Sequence, residues 1–293
     1  MEKIIDGKII SQNIREEIFS KASAFKASTG IIPGLALMIV GNDPASEVYV
    51  GMKAKTCEKL GFYSLIERLP ETTSQEQVLA MIDEWNNRPD IHGILVQMPL
   101  PKHVSDMEVI KRINPDKDVD GFHPVNVGKL VAGIPCLQAC TPAGIMELLK
   151  RSNVSLKGKH AVVLGRSNIV GKPIANLLYQ KNKDANAIVT ICHTAAPDIA
   201  YYTRQADVLI AAAGAAEIIK RDMIKEGVVI IDVGTNRVEA PDTEKGYRLT
   251  GDVDFNDVYD KVSLITPVPG GVGPMTITML MYNTLEAAIM QSR

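Results

Sequence analysis

The 293-residue chain is short of the marks that define several protein classes. Its four cysteines, Cys57, Cys136, Cys140 and Cys192, are scattered and form no C-x-x-C pair. That usage fits reduced, mostly buried thiols and excludes a disulfide framework. Its five histidines show neither H-x-x-x-H nor H-E-x-x-H spacing, so no metal site is expected. No charge sign dominates: 32 Lys and Arg stand against 34 Asp and Glu, a net charge of −2 with no long run of one sign. A nucleic-acid surface would need a basic stripe, and none is present. No apolar stretch approaches the roughly 20 residues of a membrane span. Residues Met1 to Gly7 hold too short an apolar run for a signal peptide. A cytoplasmic protein, or an organellar one after processing, without a membrane partner is therefore expected.

What is there is an ordinary globular composition, 46% hydrophobic and 23% charged. The core can be sizeable without metal or disulfide, and the length suggests about two domains. Apolar strands alternate with helical patterns throughout, which predicts an α/β architecture with largely parallel sheets. Ile10, Ile14, Ile18, Ala22 and Phe25 recur at helical spacing. Leu35 to Val40 reads as a buried strand, and a helix is predicted over about Ala45 to Leu60. Ser74 can cap a helix carrying Val78, Leu79, Ile82 and Trp85, and the strand Ile91 to Val96 follows. Asn114 to Gly133, rich in Pro, Gly, Asn and Asp, reads as a loop region crossing between domains. Thr141-Pro142 fits an N-cap followed by a proline at the first helical position. The second half, with strands at about 160–164, 188–192, 208–212 and 228–231, has the pattern of a doubly wound nucleotide-binding sheet.

Three places carry candidate chemistry. The first is Gly165-Arg166-Ser167-Asn168-Ile169-Val170-Gly171, between a strand and a helix, where backbone amides can hold a pyrophosphate. The middle glycine of G-x-G-x-x-G is replaced by Ser167, so a tight βα turn without a ligand has the same pattern. The next strand ends Cys192-His193-Thr194 with no acid to take a ribose 2′-hydroxyl. That absence, with Arg166 nearby, favours a 2′-phosphate and hence NADP. Thr194 and Ser167 add hydroxyls, and Gly214 and Thr235 stand at later strand ends that line the nicotinamide half in this topology. The second place is Tyr49 and Lys53, four apart on one helix face; a snorkelling lysine beside an amphipathic tyrosine reads the same way. Gln97 at a strand end and the acids Asp118 and Asp120 in a loop complete that set. The third is Thr266 to Thr276, with three prolines and three glycines, a stiff turn that brings main chain close to a ligand or simply connects to a terminal helix.

Taken together these strings resemble the methylenetetrahydrofolate dehydrogenase/cyclohydrolase family. The motif S-x-x-Y-V-x-x-K is met by Ser46, Tyr49, Val50 and Lys53, and Gln-x-Pro-Leu-Pro by Gln97, Pro99, Leu100 and Pro101. Lys-Asp-Val-Asp-Gly-Phe-His runs from Lys117 to His123, G-R-S-x-I-V-G-x-P from Gly165 to Pro173, and Gly251-Asp252-Val253-Asp254-Phe255 and Thr266 to Thr276 also match. The resemblance extends over essentially the whole chain. It implies oxidation of 5,10-methylenetetrahydrofolate by NADP+ and hydrolysis of the methenyl product to 10-formyltetrahydrofolate. It implies Lys53 for proton transfer, Gln97 to position it, Tyr49 to stack on the folate and Asp120 to bind the pterin. Pro99, Leu100, Pro269, Gly270 and Gly271 would join these residues in lining the folate site. The implied domains are 1–140 with 272–293 for folate and catalysis and 141–271, Rossmann-like, for NADP, with a cleft between them, in a homodimer. Thr194-Ala195-Ala196 departs from the commoner Ser-Lys-Thr, and Thr235 from the commoner Ile. A monofunctional dehydrogenase, a nucleotide-sensing binding protein and a shikimate-dehydrogenase-like enzyme are the alternative readings.

Replacing Arg166 by Ala should raise KM for NADP+ about tenfold or more, the worth of one charge-assisted hydrogen bond, and leave KM for NAD+ nearly unchanged. Initial rates with both cofactors check it, and equal effects would contradict it.

Overall fold

The structure, a computed structural model, describes residues 3–241 and 246–292, so residues 1–2, 242–245 and 293 of the expected domain ranges lie outside the described residues. The first half of the chain runs α1 (Gly7–Thr29), β1 (Gly34–Val40), α2 (Pro44–Lys59), β2 (Tyr63–Leu69), α3 (Gln75–Asn87), β3 (Gly93–Val96), α4 (Asp106–Arg112) and α5 (Pro124–Val131). The second runs α6 (Cys140–Arg151), β4 (His160–Leu164), α7 (Gly171–Leu178), β5 (Ile188–Cys192), α8 (Ile199–Thr203), β6 (Val208–Ala211), β7 (Val229–Asp232), β8 (Asn236–Glu239), β9 (Tyr247–Thr250), α9 (Phe255–Val258), β10 (Leu264–Ile265) and α10 (Gly273–Gln291). Two compact units result: Asn13–Cys140 with the chain from Ile277, and the chain up to Gln12 with Thr141–Thr276. Among the described residues, no helix is long and apolar enough to cross a membrane.

The first unit is built on a parallel three-stranded sheet in the order β2-β1-β3. All seven positions of β1 are buried, as an apolar strand covered on both faces must be. Ala36, Met38 and Val40 of β1 pack with Val78, Ile82 and Trp85 of α3 and Val109 beyond them. A capping box starts α3: Ser74 Oγ accepts from the Gln77 amide while the Gln77 side chain accepts from the Ser74 amide. Strand β2 mixes apolar and polar residues and is mostly half-exposed, so no continuous apolar run announces it; its place is set by pairing along the whole of β1.

The stretch read as one long loop, Asn114 to Gly133, is only partly so. It contains α5, which starts with Pro124 at its first position and His123 accepting from the Val125 amide at 3.1 Å. Eight residues are too few to display a helical period, which is why composition outweighed pattern there. Helix α6 begins at Cys140, so Thr141 and Pro142 lie inside its first turn. The Thr141 hydroxyl is 2.9 Å from the Thr276 hydroxyl and does not act as the expected N-cap.

The second unit carries a five-stranded, all-parallel sheet in the order β10-β7-β6-β4-β5. Its edge is extended by Ile4, bridged in parallel to Ile265, with the Ile5 amide donating to Ile265 O and the Ile265 amide to Lys3 O, both at 2.8 Å. Residues 3–12 pack with this sheet, within the span 1–140 expected to form one domain. Two backbone hydrogen bonds to a strand of two residues leave no trace in local pattern. The antiparallel hairpin β8–β9 is likewise polar.

Candidate active site

Helix α2 begins after Asp43, whose carboxylate accepts from the Ser46 amide at 2.8 Å. One face of it is turned into the unit's core: Val50 and Cys57 are fully buried, and Lys53 lies between them at 9% exposed. Tyr49, one turn earlier, is 48% exposed and leaves an aromatic ring free to contact a ligand. Lys53 Nζ donates to Gln97 Oε1 at 2.8 Å. Gln97 follows β3 directly, and its Nε2 donates to Met98 O at 2.8 Å, which presents the amide oxygen to the lysine. Pro99 and Leu100 continue from there, after a cis Met98–Pro99 bond.

The loop Lys117 to Gly121 gives each of its charges a separate task. Lys117 Nζ donates to Trp85 O and Arg88 O at 3.1 and 2.8 Å, closing the carboxyl end of α3. Asp118 accepts from the Phe122 and His123 amides and from Asn126 Nδ2, and so holds the turn into α5. Gly121 has φ +75°, and a Cβ there would overlap the backbone of Gln138 and Ala139. What remains is Asp120, half-buried and acting on Lys53 through space. Burial pushes the Asp120 carboxyl up to about 6, with the Lys53 charge opposing that rise and Asp118 adding to it. Burial also lowers the Lys53 ammonium, with the Asp120 charge resisting. Each group stabilises the charged form of the other in a place that favours neither charge.

The second unit holds the glycine-rich loop. Gly165 ends β4 with φ +132°, and a Cβ there would overlap Ala212 O. Ser167 Oγ accepts from the Val170 and Gly171 amides at 3.1 and 3.3 Å, which closes the loop onto the start of α7. Arg166, Ser167 and Ile169 are exposed and Val170 half-exposed. Thr194 beyond β5, Gly214 beyond β6 and Thr235 beyond β7 are also exposed. The first carboxylate after β5, Asp198, is engaged at the start of α8, accepting from the Tyr201 amide. A tight backbone turn, an exposed guanidinium and exposed hydroxyls at the carboxyl ends of parallel strands fit an anionic dinucleotide. Pro269, Gly270 and Gly271 lie in this unit too, between β10 and α10, after a cis Val268–Pro269 bond.

The sequence reading gave no task to the carboxylates of Asp232 and Asp252. Asp252, fully buried, accepts from the Ala213, Gly214 and Ala215 amides at 2.5, 2.9 and 3.1 Å and from Asn236 Nδ2 at 2.9 Å. It thus fixes the loop at the end of β6. Asp232 accepts from the Asp252 and Val253 amides and from Gly234, and burial pushes its carboxyl up to about 7. The string Gly251-Asp252-Val253 was legible, but the three backbone amides that Asp252 accepts lie 37 to 39 positions away.

The coupling of Lys53 and Asp120 has a measurable sign. With Lys53 replaced by Met, Asp120 loses the cation that stabilises its charge, so its midpoint should rise above about 6. A carboxyl-carbon NMR titration reads this, and an unchanged or lower midpoint would contradict the pairing.

Residues 5–120 match the catalytic domain of the tetrahydrofolate dehydrogenase/cyclohydrolase family, and residues 139–292 match its NAD(P)-binding domain. Bifunctional protein FolD of Chloroherpeton thalassium is 56% identical over 286 residues, covering 97% of both chains. The crystal structure of the bifunctional FolD methylenetetrahydrofolate dehydrogenase/cyclohydrolase from Campylobacter jejuni is 48% identical, covers 98% of each chain and superposes with a TM-score of 0.92. The dehydrogenase-cyclohydrolase of Trypanosoma brucei, complexed with NADP cofactor and inhibitor, is 38% identical over 99% of this chain and 98% of its own, with a TM-score of 0.92. The chain belongs to the tetrahydrofolate dehydrogenase/cyclohydrolase family, as a two-domain α/β enzyme with a catalytic and an NAD(P)-binding domain.

Proposed function

We propose that this protein oxidises 5,10-methylenetetrahydrofolate to the 5,10-methenyl form with NADP+ and hydrolyses that cation to 10-formyltetrahydrofolate, with Lys53 as the proton-transfer residue. The observation that carries the reading is a buried lysine hydrogen-bonded to Gln97 and held in its charge balance by Asp120. Lys53, Gln97, Asp120 and Tyr49 form the catalytic set, and Pro99, Leu100, Pro269, Gly270 and Gly271 complete the folate contacts. Gly165, Arg166, Ser167, Ile169, Val170, Gly171, Thr194, Gly214 and Thr235 would hold the cofactor, which when bound supplies a two-electron acceptor. Arg166 and the missing acid after β5 support NADP over NAD, as does the cofactor of the Trypanosoma brucei relative. A homodimer in the cytoplasm completes the proposal, on the strength of the family resemblance.

The residues divide the two steps between them. Oxidation asks mainly for positioning, which the Tyr49 ring and the glycine loops supply. Hydrolysis asks for proton traffic. Water attacking the methenyl carbon must lose a proton, and the nitrogen released as that ring opens must gain one. An ordinary lysine, with a pKa of about 10.4, is almost wholly charged at neutral pH and cannot take a proton. Burial brings the Lys53 ammonium down towards the working range, and a cationic substrate beside it acts in the same direction. Gln97 Oε1 accepts from Nζ and fixes where the nitrogen points. Asp120 keeps enough of the charged form for the proton to return.

The test is absorbance of purified protein with 5,10-methylenetetrahydrofolate and NADP+, before and after acid quench, since acid returns the 10-formyl product to the methenyl chromophore. NADPH formation with a methenyl signal appearing only after acid is expected. Methenyl accumulating before acid would make the enzyme a dehydrogenase alone.

A further inference from the structure

Helix α10 carries a polar side chain that the reaction as described does not use. Asn283 is 4% exposed, on a helix whose Leu280, Leu285 and Ala287 are fully buried or nearly so. A carboxamide in such a place is costly unless every proton is paired. The neighbouring Thr284 meets that need on its own helix, donating to Leu280 O at 2.8 Å. Asn283 instead reaches out. Its Nδ2 donates to both Val119 O and Gln138 O, each at 2.8 Å, using both protons of one nitrogen to tie two separate stretches of chain together.

Those two stretches are the walls of the Asp120 turn. Val119 immediately precedes Asp120, and Gly121 immediately after it packs against the Gln138–Ala139 backbone. Cys140 Sγ donates to the same Val119 O at 3.2 Å and lies 3.7 Å from Asn283 Nδ2. The Asp120 carboxylate accepts from the Cys140 thiol but, among the described residues, has no set of backbone donors like that of Asp118. Its direction is therefore set by that thiol, the carbonyl before it and the glycine after it, and Asn283 touches both the thiol and the carbonyl.

We infer that Asn283 is a positioning residue for the reaction: from α10 it clamps the backbone on either side of Asp120 and so sets how that carboxylate bears on Lys53. The inference rests on the proposal that Lys53 and Asp120 carry the proton transfer, and it can fail separately from it. The ionisable groups that act on Asp120 are Lys53 from α2, Asp118 from the same loop and Cys140 from α6, and those that act on Lys53 are Asp120 and Cys140. Of these, only Asp120 and Cys140 are held through atoms that Asn283 touches. Freeing the loop lets Asp120 turn away to solvent, and Lys53 loses the charge that resists its neutralisation.

The experiment uses full-length protein with Cε-labelled lysine, the Lys53 signal being assigned from its loss in Lys53→Met. In Asn283→Ala, the Lys53 titration midpoint is expected to fall by about half a pH unit or more, and the pH profile of hydrolysis to move the same way. Thr284→Val, a lesion on the same helix that leaves the clamp intact, should move neither. Should Asn283→Ala not fold, Asn283→Gln keeps both donor protons at a displaced point and carries the same readout. A shifted midpoint with an unshifted hydrolysis profile supports the clamp and removes Lys53 from the proton transfer. A folded Asn283 variant whose Lys53 titration superposes on that of the wild type overturns the inference, as does an equal shift in Thr284→Val.

Discussion

The interaction on which the rest depends is the withdrawal of the Lys53 ammonium from water beside a neutral amide and an offset carboxylate. A buried charge is tolerated only when paired, and a fully paired lysine would stay charged and be of no use as a base. The arrangement lies between these limits. Nζ is bonded to Gln97 Oε1, which carries no charge, while Asp120 acts on it from a distance. Much of the first unit serves to hold that compromise. The β1 core fixes α2 and β3, Lys117 closes α3 beneath the loop, Asp118 holds the turn, and Asp120 is left to titrate beside the lysine.

The same residue type is put to opposite uses within one chain. Asp118 and Asp252 accept several backbone or amide donors each, and their task is to hold loops in shape. Asp120 has few such partners and keeps its sensitivity to a neighbouring charge. The number of donors around a carboxylate thus separates scaffold from candidate chemistry here, where burial and a raised midpoint do not: Asp232, pushed up to about 7, is buried and holds three amides.

How much of this was legible beforehand follows from where the partners lie in the chain. Apolar runs marked β1, β3, β4 and β6 because both faces of these strands are covered, and helix α3 because Ser74 and Gln77 cap it within four residues. Mixed β2 and the polar β8–β9 hairpin had no such run. Helix α5 was hidden by its own brevity and by a loop-like composition. The pairing of Ile4 with Ile265 was invisible because it joins opposite ends of the chain. Tyr49 and Lys53 were legible as a pair on one helix face; what local pattern lacked was the depth of Lys53 and the orientation of Gln97, which arrives 44 positions later. Asn283 shows the limit most plainly, with its acceptors 164 and 145 positions away.

The central claim is that a partly neutral Lys53 moves the proton during hydrolysis and is not needed for oxidation to the same degree. The most direct measurement follows loss of methenyl absorbance, without cofactor, in Lys53→Met and in the wild-type enzyme. A fall of about 10²- to 10⁴-fold in enzymatic hydrolysis is expected, the usual worth of a positioned acid–base group, in a variant that still binds folate and NADP+. Hydrolysis within about threefold of wild type, well short of that range of effects, would contradict it.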